Sequence, residues 1–136
     1  LENLRVEDFY RPGIVTTLEE QTTLKALTNI IAGTNEFCFP VRNQEGQLSG
    51  MLTIQDVRNV LFEENLFDLI LVKDLARKPA YLRPDYDLYS ALIKFVDTDL
   101  SQIPVVDLNN EVIGILNRQD VFKAYNDAIQ ELREDQ

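Results

Sequence analysis

The 136-residue sequence has no histidine, no tryptophan, one methionine and one cysteine. Without histidine, a Ser-His-Asp triad, a Cys-His pair and any histidine-ligated zinc site are excluded. The single cysteine, Cys38, excludes an intrachain disulfide and a CxxC redox pair. Flanked by Phe37 and Phe39, it is expected to be buried as a small apolar thiol rather than to react. Basic residues are scarce: 13 Lys+Arg face 23 Asp+Glu, a formal charge of −10. A chain this acidic, without a basic cluster, suits a phosphate backbone poorly, so nucleic acid is not an expected partner. Long apolar runs are missing too. The longest, Leu66 to Val72, is interrupted by Asp68 and falls short of the ~20 residues needed to span a bilayer. The sequence opens on Leu1 without a signal peptide and reads as a piece of a longer protein.

What is present is a repeat. Sliding the sequence by 64 places Leu18 on Leu82, Leu24 on Leu88, Thr34 on Thr98 and Pro40-Val41 on Pro104-Val105. The same offset places Gly50 on Gly114, Leu52 on Leu116 and Gln55-Asp56-Val57 on Gln119-Asp120-Val121. A two-residue slip upstream pairs Asp8 with Asp74. Each copy parses by period. Extended runs at Ile14 to Leu18 and Ala80 to Leu82 precede helices; Leu88, Ala91, Leu92, Phe95 and Val96 share one helix face, as do Leu24, Leu27, Ile30 and Ile31. Strands follow at Phe37 to Val41 and Leu48 to Thr53, then at Ile103 to Asp107 and Val112 to Leu116. Gly46 and Asn110 supply the positive φ of tight hairpins. A closing helix is short in copy one (Val57, Val60, Leu61) and long in copy two, from Val121 through Ala124, Tyr125, Ala128 and Ile129 to Leu132. The expected fold class is α/β (α+β): two β-α-β-β-α repeats, at 6–64 and 74–132 with a connector at 65–73, packed with pseudo-twofold symmetry.

The most specific element is Gly50-Met51-Leu52-Thr53-Ile54-Gln55-Asp56, repeated as Gly114-Ile115-Leu116-Asn117-Arg118-Gln119-Asp120. A strand ends on a polar residue, and an Asp follows three positions later where a helix begins. Thr53-x-x-Asp56 reads as a capping box, and Asn117-x-x-Asp120 can cap similarly. The same geometry suits a ligand: helix N-termini attract anions, and an ionised Asp accepts two hydrogen bonds, as the paired hydroxyls of a ribose require. No nucleophile or metal cluster accompanies the carboxylates, so no catalytic residue and no metal ligand are expected.

Paired units carrying apolar-Pro-Val, a hairpin and then G-h-h-[ST]-x-x-D resemble a tandem pair of cystathionine-β-synthase (CBS) domains. The resemblance covers about Val6 to Asn126. It implies adenine-nucleotide binding (AMP, ADP or ATP, with or without Mg²⁺) in clefts between the copies, regulating an attached enzyme, channel or transporter. Cleft A would join Thr17, Phe37, Cys38, Phe39 and Pro40 to Asn117, Arg118 and Asp120. Cleft B would join Tyr81, Ser101, Gln102, Ile103 and Pro104 to Thr53 and Asp56. Strand residues would hold the base and the two Asp the ribose. Arg118, whose counterpart is Ile54, would meet phosphate in cleft A, although Asn117 replaces the usual Ser or Thr there. These considerations slightly favour cleft A.

The stretch Val60 to Ile70 leading into Val72-Lys73-Asp74-Leu75-Ala76, together with Arg118 to Val121 and Ala124-Tyr125-Asn126, is similar to the cytoplasmic CBS pair of bacterial ClC-type chloride channels and transporters. That resemblance implies a covalently attached transmembrane transport domain and a location on the cytoplasmic side of the inner (plasma) membrane. The CBS resemblance itself implies a homodimer, for which Tyr125 and Ile129 could serve if they are not spent on packing within the chain. The alternatives are a structural dimerisation module without ligand, a CBS pair of another transporter or metabolic enzyme, and an enzyme using Asp56 and Asp120 as acid and base.

Overall fold

The computed structural model describes residues 3–13 and 15–134. The expected extended run beginning at Ile14 therefore starts outside the described residues, and residues 1–2 and 135–136 lie outside them as well. The strands are β1 (Arg11–Pro12), β2 (Leu18–Glu19), β3 (Cys38–Arg42), β4 (Leu48–Thr53), β5 (Gln102–Val106) and β6 (Val112–Asn117), taken in successive pairs; α1 (Leu24–Ala32) follows the first pair, α2 (Ile54–Arg58), α3 (Val72–Leu75) and α4 (Leu88–Thr98) the second, and α5 (Arg118–Glu134) the third. The fold is mixed α/β, with two three-stranded sheets ordered β2-β3-β4 and β1-β6-β5.

The chain divides into two compact units that cut it differently from the repeats. One comprises 16–79 and 109–112; the other comprises 1–15, 80–108 and 113–136. Each unit thus takes its lead-in segment from the start of the opposite repeat.

The 16–79 unit is built on β3, which pairs antiparallel with β4 and parallel with β2. Its core gathers Leu18, Leu24, Leu27, Phe39, Val41, Leu52, Val57 and Val72, all at 1 % exposure or less. Thr23 caps α1, its hydroxyl accepting from the Ala26 N–H. Across the outer edge of β4, Arg77 forms an antiparallel bridge with Met51, each N–H donating to the other's carbonyl at 3.0 Å.

The second unit repeats this order. β6 pairs with β1 through Arg11↔Ile115 and Pro12↔Gly114. On the far side Leu82 bridges Val105 in parallel, as Leu18 faces Val41 in the first unit. Leu82, Leu88, Phe95, Ile103, Val105, Leu116 and Val121 are buried here. Asp87 caps α4, accepting from the Ser90 N–H at 2.6 Å, and that bond holds its carboxyl below the usual range. Gly46 and Asn110 take positive φ (80° and 64°), as the hairpins require. Among the described residues no helix is long and apolar enough to cross a membrane.

Candidate functional site

At the end of β4 the chain turns from extended Thr53 directly into α2. The expected capping box forms: the Thr53 N–H donates to Asp56 Oδ2 at 2.9 Å, and the Asp56 N–H reaches Thr53 Oγ1 at 3.4 Å. A third residue, absent from the sequence reading, completes the cluster. Arg77 donates from Nε to Asp56 Oδ2 (3.0 Å) and from Nη2 to both Asp56 Oδ1 (2.9 Å) and Thr53 Oγ1 (3.1 Å). This is a two-pronged guanidinium–carboxylate contact, the stronger geometry for such a pair.

Cys38 lies opposite Thr53 in the β3–β4 register. Burial pushes its thiol up to about 12, more than the nearby Arg77 pulls it down, with Asp56 and Glu36 adding to the rise. The thiolate is negligible at neutral pH, in keeping with a packing role. Phe39 and Pro40 are buried beside it, whereas Phe37 is 64 % exposed at the mouth of the strand. Thr17 is half-buried before β2. Thr53 and Asp56, assigned above to cleft B, therefore share one unit with the cleft A residues Thr17, Phe37, Cys38, Phe39 and Pro40.

The second unit holds the matching parts in a looser arrangement. Arg11 Nε lies 3.4 Å from Asp120 Oδ2, with the arginine side chain 72 % exposed. Arg118 Nη1 is 3.7 Å from Asp99, a fully exposed residue in left-handed conformation, so its charge is only weakly matched. Asn117 Oδ1 accepts from Gln102 Nε2 at 2.9 Å, while Gln102 Oε1 is buried without a hydrogen-bond partner. Tyr81 lies under Arg83, whose guanidinium carbon is 5.7 Å from the ring centroid. Ile103 and Pro104 are buried, and Ser101 is exposed.

The helix N-termini offer less than their sequence suggests. The first amide of α2 donates to the Phe37 carbonyl (3.1 Å) and that of α5 to the Ser101 carbonyl (2.9 Å). Moreover α2 has only five residues, against 17 in α5, so the aligned peptide dipoles favour an anion at the Asp120 element over the Asp56 element.

The role of the motif glycine is also visible. A Cβ on Gly114 would lie 2.4 Å from the Arg11 carbonyl, and one on Gly50 would lie 3.2 Å from that of Arg77. Each glycine lets the arginine-bearing segment lie against its strand. The slip that pairs Asp8 with Asp74 also pairs Arg11 with Arg77, and that is the signal by which these residues could have been found.

A profile of the CBS domain matches residues 6–63 and again 72–127, most of the chain. The chain belongs to the CBS-domain family. As a tandem CBS pair it is similar to CBSX2 in its complex with AMP, with TM-score 0.78, 23 % identity, and coverage of 93 % of this chain and 98 % of that one. It is also similar to the CBS domain of the bacterial CNNM/CorC family Mg²⁺ transporter in complex with ATP, with TM-score 0.76, 20 % identity, and coverage of 90 % and 87 %. Among curated proteins it resembles the homoserine O-acetyltransferase of Methanococcus vannielii, 27 % identical over 124 residues. That match takes in 89 % of this chain but only 24 % of the relative, so the CBS pair spans about a quarter of that protein's length.

Proposed function

We propose that this CBS pair is a regulatory module that binds an adenine nucleotide (AMP, ADP or ATP) and conveys its presence to an attached domain. The observation that carries the reading is the twofold occurrence of one polar element: a Thr or Asn at a strand end and a partly buried carboxylate three residues on, each beside an arginine. Two hydroxyls of a ribose match a carboxylate's acceptors. AMP and ATP in the complexes of similar CBS domains support the ligand class.

Binding shifts the attached domain by the ligand's differential affinity for two arrangements, typically ~1–3 kcal/mol of coupling. For the attached domain, the connector pattern supports a membrane transport domain, in its finer form a ClC-type chloride channel or transporter, with the CBS pair on the cytoplasmic side. The Methanococcus relative favours a second reading, a CBS pair joined to a metabolic enzyme. The domain to which the CBS pair is joined separates them: a series of apolar helices supports the first and a soluble catalytic domain the second. Association as a homodimer is part of the proposal. The exposed apolar residues Phe122 and Tyr125 on α5, with Ile129 half-buried on the same helix, are the surface offered for it.

The test is calorimetry and thermal shift with AMP, ADP and ATP, each with and without Mg²⁺. A nucleotide at a hundredfold excess over its Kd is expected to stabilise the fold by about 2.7 kcal/mol. Absence of heat and of any thermal shift at millimolar concentration would leave the ligand-free dimerisation module as the correct reading. Asp120→Ala is expected to weaken binding more than Asp56→Ala; the reverse order would overturn the preference for the Asp120 element.

A further inference from the structure

The acceptor capacity of Asp56 is nearly exhausted before any ligand arrives. A carboxylate offers about four lone-pair sites. One is taken by the Thr53 N–H, at 2.9 Å, and two by Arg77, at 2.9 and 3.0 Å. A ribose diol brings two donors to a carboxylate with one site left. The Thr53 amide is fixed by the turn into α2, so the group that can leave is the Arg77 side chain, which is 46 % exposed. Arg77 is also the residue whose backbone closes the bridge to Met51, and it lies two residues before Pro79, where the chain leaves this unit. In the second unit Arg11 occupies the equivalent place on Asp120, close to another chain crossing, at Val15, through a single contact of 3.4 Å.

We propose that Arg77 is a built-in competitor for Asp56, a guanidinium latch that a nucleotide's ribose must displace, and that displacement loosens the segment carrying it. Arg11 is the weaker latch on Asp120. Ligand occupancy is thereby tied to the hold on the two arginine-bearing edge segments, and the two carboxylates differ in affinity because their latches differ. The identity of the displacing ligand rests on the nucleotide reading above; the latch itself does not.

Two measurements separate the parts. Without nucleotide, hydrogen exchange of the Met51 and Arg77 amides is expected to quicken about three- to tenfold in Arg77→Met and in Asp56→Asn. Exchange unchanged in both, in variants whose circular dichroism is native, would overturn the latch. With AMP or ATP, titrated against an Asp120→Ala background so that only the Asp56 element reports, Arg77→Met is expected to tighten binding about three- to tenfold. Arg77→Lys, which keeps the charge and loses the fork, should fall between. Arg11→Met in an Asp56→Ala background should gain about twofold or less. Binding that is unchanged or weakened by Arg77→Met would overturn the competition, making Arg77 a bystander or a phosphate contact. Binding of no nucleotide to wild type or variants would defeat the nucleotide reading, and the exchange experiment would still decide the latch.

Discussion

The two units are built on one plan and finished differently. Both place an arginine-bearing edge segment, a motif strand, a central strand and a short parallel partner in the same order. In the 16–79 unit the arginine grips its carboxylate by two prongs, the closing helix stops after five residues, and the motif glycine has slight clearance. In its counterpart the arginine touches at 3.4 Å, the closing helix runs 17 residues, and the glycine is pressed hard against the edge segment. The shared plan comes from matched apolar residues, whereas the finish is set by polar and steric details free to drift once the core is secure. One unit thus holds its motif carboxylate tightly and the other holds it loosely.

The core should be the part on which the units agree. Leu52 and Leu116 are fully buried at equivalent positions, and truncation of either to alanine is expected to destabilise by about 2–5 kcal/mol. Denaturant titration checks this, and a difference of more than about 2 kcal/mol between them would show that the cores are not equivalent. The glycines should separate the units. Gly114→Ala forces a Cβ into backbone and the Tyr10 ring, with an expected loss of about 2–4 kcal/mol. Gly50→Ala meets its neighbours at 3.2 Å and should lose about 1 kcal/mol or less. Equal losses would dissolve the contrast.

The smallest effect concerns Glu36, whose place is taken by buried Leu100 in the second copy. Its Oε2 is buried without a partner, and burial raises its pKa above the ordinary 4.5. A carboxyl raised in the fold opposes folding once charged. The opposition is absent below the unfolded value and grows as pH rises through the folded one. Glu36→Gln should therefore raise Tm at neutral pH by about 1–2 °C, and the gain should vanish below pH 4.5.

Much of this was legible from residues alone. Because the repeat holds one offset through its apolar positions, α1 and α4 and strands β3 to β6 fall within two residues of where the periodicity puts them. Thr53 and Asp56 were legible as a cap because capping is a local affair of four residues. Arg11 and Arg77 were not, for two physical reasons. Their edge strands are one or two residues long, too short to show alternation, and they join the sheet of a distant segment. Electrostatic partners at a separation of 21 residues, as for Arg77 and Asp56, leave no periodic trace.

The exchange of lead-in segments has a consequence for how such a chain can be divided or duplicated. A repeat cut at its sequence boundary would keep its own lead-in and lose the one its motif strand pairs with. It would expose the edge of β4 or β6 beside a glycine evolved for close backbone approach. An open edge of that kind recruits whatever strand is nearest, including that of another molecule. The smallest unit that closes its own sheets is therefore the pair, and a gene carrying one repeat would have to find its missing edge in a second copy of itself.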